Sequence, residues 1–305
     1  MRSAFNEELI KLAGQDERIY MILADIGYGE VEPFRAAFPS RWYNCGVAEQ
    51  AMTGIACGLA LEGKIAITYS IANFPTLRPL EQIRNDICYH KANVKIVIIG
   101  GGLAYGPLGI SHQATEDMAI MRALPDMVVC CPADIKEAKA AVHAMIQHNG
   151  PFYYRCGYKK EPDVHQGKIN FRLGHAIQVT DGADVTLIGT GPITYRALEA
   201  ARLLAREGIE ARVLSMHTVK PIDREAIVAA ARETGGIVTV EEHNICGGLG
   251  GAVAEVLAAS GIGTRFGMIA LPDVYVHKFG SHGWLLDQYG FSPPEIAAKA
   301  KALIA

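Results

Sequence analysis

The 305-residue sequence has no excess of charge of either sign: 29 Lys and Arg face 32 Asp and Glu, for a formal net charge of −3. Without a basic footprint, and without aromatic residues interleaved among basic ones, it offers little to a phosphate backbone or to stacked bases. No nucleic-acid partner is expected. No apolar run approaches the ~20 residues that a membrane-spanning helix needs, so no membrane association is expected either. At the N-terminus, Glu7 and Glu8 stand where a secretory leader would have its apolar core. The seven cysteines form no C-x-x-C pair, and most lie among apolar neighbours, where a free thiol behaves as a small hydrophobe. These absences point to a reducing, cytoplasmic setting. Low-complexity tracts, charge runs and short-period repeats are also missing, which excludes a solenoid.

What remains is an ordinary globular composition, 50% hydrophobic, long enough for two domains with real cores. Short β-rich runs at Ile19–Ala24, Ile65–Tyr69, Val94–Ile99, Met127–Cys131 and Phe152–Arg155 alternate with helical patterns near Ala4–Ala13, Val47–Glu62, Leu77–Lys91, Thr115–Ala123 and Asp134–His148. Near-continuous apolar strands separated by helices indicate a mostly parallel sheet covered on both faces. A polar stretch from Lys159 to Asn170 breaks the rhythm and reads as a linker. The alternation then resumes, with strands at Val185–Ile188, Ala211–Leu214, Ile237–Val240 and Phe266–Ala270 and helices near Ile193–Glu207, Asp223–Thr234, Leu249–Ala259 and Pro294–Ile304. The expected architecture is α/β in two domains, residues 1–160 and a smaller unit over 171–305.

The most informative tract is Gly46-Val47-Ala48-Glu49-Gln50-Ala51-Met52, which sets a carboxylate at the mouth of a helix continuing through Gly54, Ala56, Gly58 and Ala60. A helix of such small residues is expected to pack closely and to be mostly buried. The helix dipole favours a carboxylate in its first turn, yet desolvation there calls for a partner. From these residues alone Glu49 either complements the helix start or does proton work.

Four blocks in order, Gly46-Val47-Ala48-Glu49-Gln50, Leu80-Glu81-Gln82-Ile83-Arg84, Ser111-His112-Gln113-Ala114-Thr115-Glu116-Asp117 and Arg122-Ala123-Leu124-Pro125, resemble the pyrimidine-binding half of transketolases. Val240-Glu241-Glu242-His243 with Gly247-Gly248-Leu249-Gly250 resembles the transketolase C-terminal domain. Each block is weak alone; five in order span essentially the whole chain.

The resemblance implies thiamine diphosphate as cofactor, with Glu49 hydrogen-bonded to a ring nitrogen of its aminopyrimidine and so tuning proton transfer. It places Phe74 on the pyrimidine ring, although a lone Phe ordinarily reads as core. Asp25, after the first strand, matches an acidic residue near the cofactor, a position where helix capping competes. His112 matches a catalytic and substrate-facing histidine, although a His among Ser, Gln and Thr can be a satisfied polar residue. Arg2 and Lys159 match substrate-contacting positions, while His243, His277 and His282 read as structural. The family's metal tract, G-D-G followed by Asn, does not occur in the sequence. The resemblance therefore implies a separate N-terminal-half subunit holding the diphosphate and Mg²⁺ or Ca²⁺, in an α2β2 assembly, with no metal ligands in this chain.

Departures from the family bear on its sugar substrates. Gly100-Gly101-Gly102 stands where transketolases have a substrate-binding His, Leu108 stands where they have an acidic residue, and Gly157-Tyr158-Lys159-Lys160 stands where an Arg grips phosphate. A Lys is a point charge and lacks the bidentate fork of Arg. Loss of hydrogen-bonding groups predicts a substrate other than the usual sugar phosphates, such as a nucleotide-linked or modified sugar. Loop variation accounts for the glycines equally well. The β subunit of a 2-oxo acid dehydrogenase, a 1-deoxyxylulose 5-phosphate synthase fragment and a non-catalytic regulatory subunit are the rival readings.

Overall fold

The computed structural model describes residues 1–158 and 161–305. In the first half the elements run α1 (Arg2–Gln15), β1 (Ile19–Leu23), α2 (Glu32–Ala37), β2 (Trp42–Asn44), α3 (Glu49–Leu61), β3 (Ile65–Ile71), α4 (Phe74–Leu77), α5 (Leu80–Gln82), β4 (Val94–Ile99), α6 (Asp117–Ala123), β5 (Val128–Cys130), α7 (Ile135–Gln147) and β6 (Phe152–Cys156). The second half contributes β7 (Ile177–Thr180), β8 (Val185–Thr190), α8 (Thr194–Arg206), β9 (Ala211–Ser215), β10 (Thr218–Lys220), α9 (Arg224–Glu233), β11 (Ile237–Asn244), α10 (Leu249–Ser260), β12 (Phe266–Leu271), α11 (His282–Gln288) and α12 (Pro293–Ile304).

Two sheets result, ordered β10-β5-β6-β4-β3-β1-β2 and β12-β11-β8-β9-β7. All pairings are parallel except β10 on β5 and β7 on β9. The apolar runs of β3, β4 and β6 are covered on both faces, as their composition requires. One face of the first sheet is closed by α1 and α7, through Phe5, Leu9, Ala138 and Val142. Phe5 and Leu9 are fully buried, which stabilises the fold by about 1.5–3 kcal/mol each. The other face packs Met52 and Ala56 of α3 against Ile96 and Ile98.

Several expectations need correction. The short strands β2, β7 and β10 lack a readable periodicity, and β10 crosses from the second half to pair with β5 of the first sheet. The helix expected over Leu77–Lys91 is broken into α4, α5 and a π-helical turn over Ile83–Cys88, with Pro75 and Pro79 punctuating its start. The stretch read as a linker forms no helix or strand over 161–170 but is tied to the start of α7: Asp134 Oδ2 accepts from the Val164 and His165 amides at 3.0 and 2.9 Å, and His165 bonds to the buried Glu137. α3 is not mostly buried. Met52, Thr53, Ala56 and Cys57 face the core, whereas Ala51, Gly54, Ile55, Gly58 and Leu61 are exposed, because none of the described residues covers their face.

Candidate active site at the carboxyl edge of the first sheet

In a parallel sheet the loops after the strands gather on one edge, where ligands bind in α/β folds. Asp25 follows β1, Glu49 follows β2, Phe74 follows β3 and the loop bearing Tyr105 and His112 follows β4, so chain order places all of these residues on one rim. Glu49 begins α3 and is 4% exposed. Its Oε1 accepts from Arg78 Nη1 at 2.9 Å, and the Arg78 guanidinium lies over the Phe74 ring, 4.2 Å from its centroid. His112 meets Phe74 edge-on at 5.1 Å, and Ser111 Oγ contacts His112 Nδ1 at 2.9 Å. Burial, and then the nearby Arg78 charge, push the His112 imidazole below its ordinary range. It is therefore held neutral, able to donate from one nitrogen and accept at the other.

Glu49, Phe74 and His112 thus share one contact chain, and Arg78 is the member that sequence reasoning missed. The chain continues less tightly. Tyr105 lies 6.1 Å from His112 and 4.4 Å from Tyr158, and the Arg2 guanidinium is 5.8 Å from the Tyr158 ring. Arg2 also pairs with Glu30 at 2.8 Å, so part of its charge is already balanced. Asp25 makes no hydrogen bond to Glu49 or His112; it sits at φ +51, its carboxylate accepting from Asn44 Nδ2 and the Tyr28 hydroxyl. Those bonds hold its carboxyl below the usual range. Lys159 lies outside the described residues.

Unsatisfied polar atoms collect beside this chain. Both amide atoms of the fully buried Gln113, Oδ1 of Asn73 and Oε1 of Gln82 have no hydrogen-bond partner among the described residues. Asn73 Nδ2 meanwhile bonds to the Gln113 carbonyl, tying the β3 end to the His112 loop. A buried carboxylate, an aromatic face and orphaned amides fit a flat, nitrogen-rich heteroaromatic ligand. Among the described residues, no three His, Cys, Asp or Glu side chains group to hold a metal ion.

The glycine run has a structural reason. A Cβ on Gly101 would strike the Arg155 guanidinium, and one on Gly102 would sit 2.5 Å from Glu242 Oε1. Arg155 is itself buried and holds the equally buried Asp117, with Nε to Oδ2 at 2.7 Å, while the Tyr153 hydroxyl donates to the same oxygen at 2.6 Å. Burial alone would raise the Asp117 carboxyl, but the Arg155 charge, nearby His243 and the hydrogen bonds from Arg155 and Tyr153 together hold it below its ordinary range. Of the histidines read as structural, His277 is exposed, His243 is buried with Nδ1 at 2.7 Å from the Asn244 carbonyl, and His282 bonds to Glu242 at 2.8 Å.

Family models match both parts of this architecture. Residues 1–157 match the transketolase pyrimidine binding domain, and residues 174–296 match the transketolase C-terminal domain. The chain belongs to the transketolase family. It is 38% identical over 301 residues to an apulose-4-phosphate transketolase subunit of Phocaeicola vulgatus, covering 98% of this chain and 96% of that one. It is 37% identical to the 6-deoxy-6-sulfo-D-fructose transketolase subunit SqwH of a Clostridium species, covering 92% and 90%. A solved structure described as a split gene transketolase, inactive beta4 tetramer, superposes with a TM-score of 0.90 at 40% identity, covering 99% of this chain and 97% of that one.

Proposed function

We propose that this chain is the pyrimidine-binding subunit of a split, thiamine-diphosphate-dependent transketolase that moves a two-carbon ketol unit from a ketose to an aldose. The observation that carries the reading is the contact chain Glu49–Arg78–Phe74–His112 on the sheet's carboxyl rim. Thiamine diphosphate supplies a nucleophilic carbon and an electron sink when bound. Glu49 would hold a ring nitrogen of the aminopyrimidine from its helix start, and Phe74 would offer its face to the ring. Arg78 now lies over that face, and as a half-exposed side chain it is able to yield. His112, kept neutral, would move a proton at, or bond to, a substrate hydroxyl. Asp25 is assigned to the cofactor side, and Arg2 and Lys159 to the substrate's far end.

The relatives named as subunits support a separate partner chain, which we assign the diphosphate and its Mg²⁺ or Ca²⁺ in an α2β2 assembly. The exposed face of α3, with Ile55 and Leu61 uncovered, suits contact with another chain. Relatives named for apulose 4-phosphate and for a sulfonated fructose support a substrate outside the common pentose phosphates. The test is Glu49→Ala in the reconstituted complex, followed by ketol transfer and by circular dichroism on adding thiamine diphosphate and Mg²⁺. A loss of at least about 10²-fold in turnover is expected, in line with general acid–base contributions; wild-type turnover in the variant would refute the assignment.

A further inference from the structure

The loop that carries Tyr105 and His112 closes on itself. Gly102 and Ala114 exchange two backbone hydrogen bonds, of 2.8 and 3.0 Å, so the residues between them form a lobe on a narrow neck. On one side the neck is held by Arg155, whose Nη2 donates to the Ala114 carbonyl at 3.0 Å. On the other side it is held from the second domain. Glu242, at the end of β11, accepts from the buried Leu103 amide through Oε1 at 2.5 Å, and the same oxygen meets His282 Nε2 of α11 at 2.8 Å. The Glu242 backbone carbonyl also accepts from Arg155 Nη2 at 3.0 Å. Gly102, at φ +62, leaves the room in which this carboxylate lies.

We propose that Glu242 is a positioning residue: it clamps the neck of the His112 lobe to the second domain and so fixes where His112 stands in the active site. The proposal rests on the transketolase reading for its consequence, though not for its geometry. Glu242 bonds to neither Glu49, Phe74 nor His112, and its bonding groups are those that join the domains. Its carboxylate is 5% exposed, so truncation leaves the Leu103 amide buried without an acceptor. The effect should appear as local opening of the lobe, because the sheets on either side keep their own ladders.

The experiment compares Glu242→Ala and Glu242→Gln with the wild-type full chain by hydrogen exchange, and then in the reconstituted complex by steady-state kinetics. For Glu242→Ala, amides over 101–114 should exchange about tenfold faster or more, with β1 and β3 unchanged. Glu242→Gln keeps an acceptor for Leu103 and should fall between, and it carries the test alone if the Ala variant does not fold. In turnover, kcat should fall while the KM for thiamine diphosphate holds, a split that a general loss of stability would not produce. Unchanged exchange over 101–114, loosening spread evenly through both domains, or an unchanged kcat with a loosened lobe would each overturn the proposal. The exchange readout needs no turnover. A wild-type complex without ketol transfer would therefore sink the transketolase reading and leave the clamp to be judged separately.

Discussion

Replacing Asp117 tests whether the Arg155–Asp117 pair is structurally required. Both side chains are buried, at 0% and 4% exposure, and the Asp117 carboxylate takes Arg155 Nε at 2.7 Å, Arg155 Nη2 at 3.3 Å and the Tyr153 hydroxyl at 2.6 Å. Asp117→Leu would leave a guanidinium buried without its counter-charge, a change that costs about 3–5 kcal/mol. A mesophilic domain has roughly 5–15 kcal/mol in all, so the variant should unfold at markedly lower urea. The double variant Asp117→Leu, Arg155→Met removes both charges and should recover part of that stability, since an ion pair replaced by apolar side chains is often near neutral, while the Tyr153 hydroxyl and the Ala114 and Glu242 carbonyls each lose a partner. The pH dependence has a fixed sign. The folded Asp117 carboxyl lies below its unfolded value, so its contribution is present above pH ~4 and is lost as pH falls through the lower folded value. Equilibrium urea titrations at pH 7 of the wild type, the single variants Asp117→Leu and Arg155→Met, and the double variant supply the cycle. A single-variant effect under about 1 kcal/mol, or a double variant no better than the single, would refute the reasoning.

Two further perturbations probe other parts of the chain. Lys95 is fully buried and donates to the His148 and Gly150 carbonyls at 2.6 and 2.8 Å, and burial lowers its amine from 10.5 to about 7. Between those values the unfolded chain binds the extra proton, so stability should rise with pH from about 7 to 10; relative to Lys95→Met the wild type should gain, with a ceiling on the order of 5 kcal/mol, by paired melting curves across that window. Gly102→Ala imposes both a left-handed φ of +62 and a clash with Glu242, and should cost about 1–3 kcal/mol in urea unfolding. Substitution of exposed Gly263, where a Cβ meets nothing within 4 Å, serves as the control.

Local patterns carried the parts of this fold that depend on neighbours in sequence. The apolar runs of β3, β4, β6 and β8 read as buried strands, because each is covered on both faces and a continuous run has only that use. Glu49, Phe74 and His112, by contrast, were joined only by the resemblance to transketolases; Glu49 follows β2, a strand with no readable pattern, and the fold then sets the three in one contact chain. The partner of Glu49 was not legible: Arg78 lies 29 positions away on a broken helical segment, and no periodicity links them. Nor was β10, three residues whose pairing with β5 depends on the docking of the two halves.

The glycine run shows why such gaps are physical. In sequence, Gly100-Gly101-Gly102 reads either as a side chain taken away, leaving a sugar hydroxyl without its partner, or as loop variation. In the fold it is a side chain that cannot be added, because Arg155 and Glu242 occupy the space a Cβ would need. Glycine gives the same letter for both causes, and the positions of Tyr105, Arg155 and Glu242, the last 139 places away from Leu103, separate them. The proposal of an unusual substrate therefore rests on the named relatives and not on the glycine run.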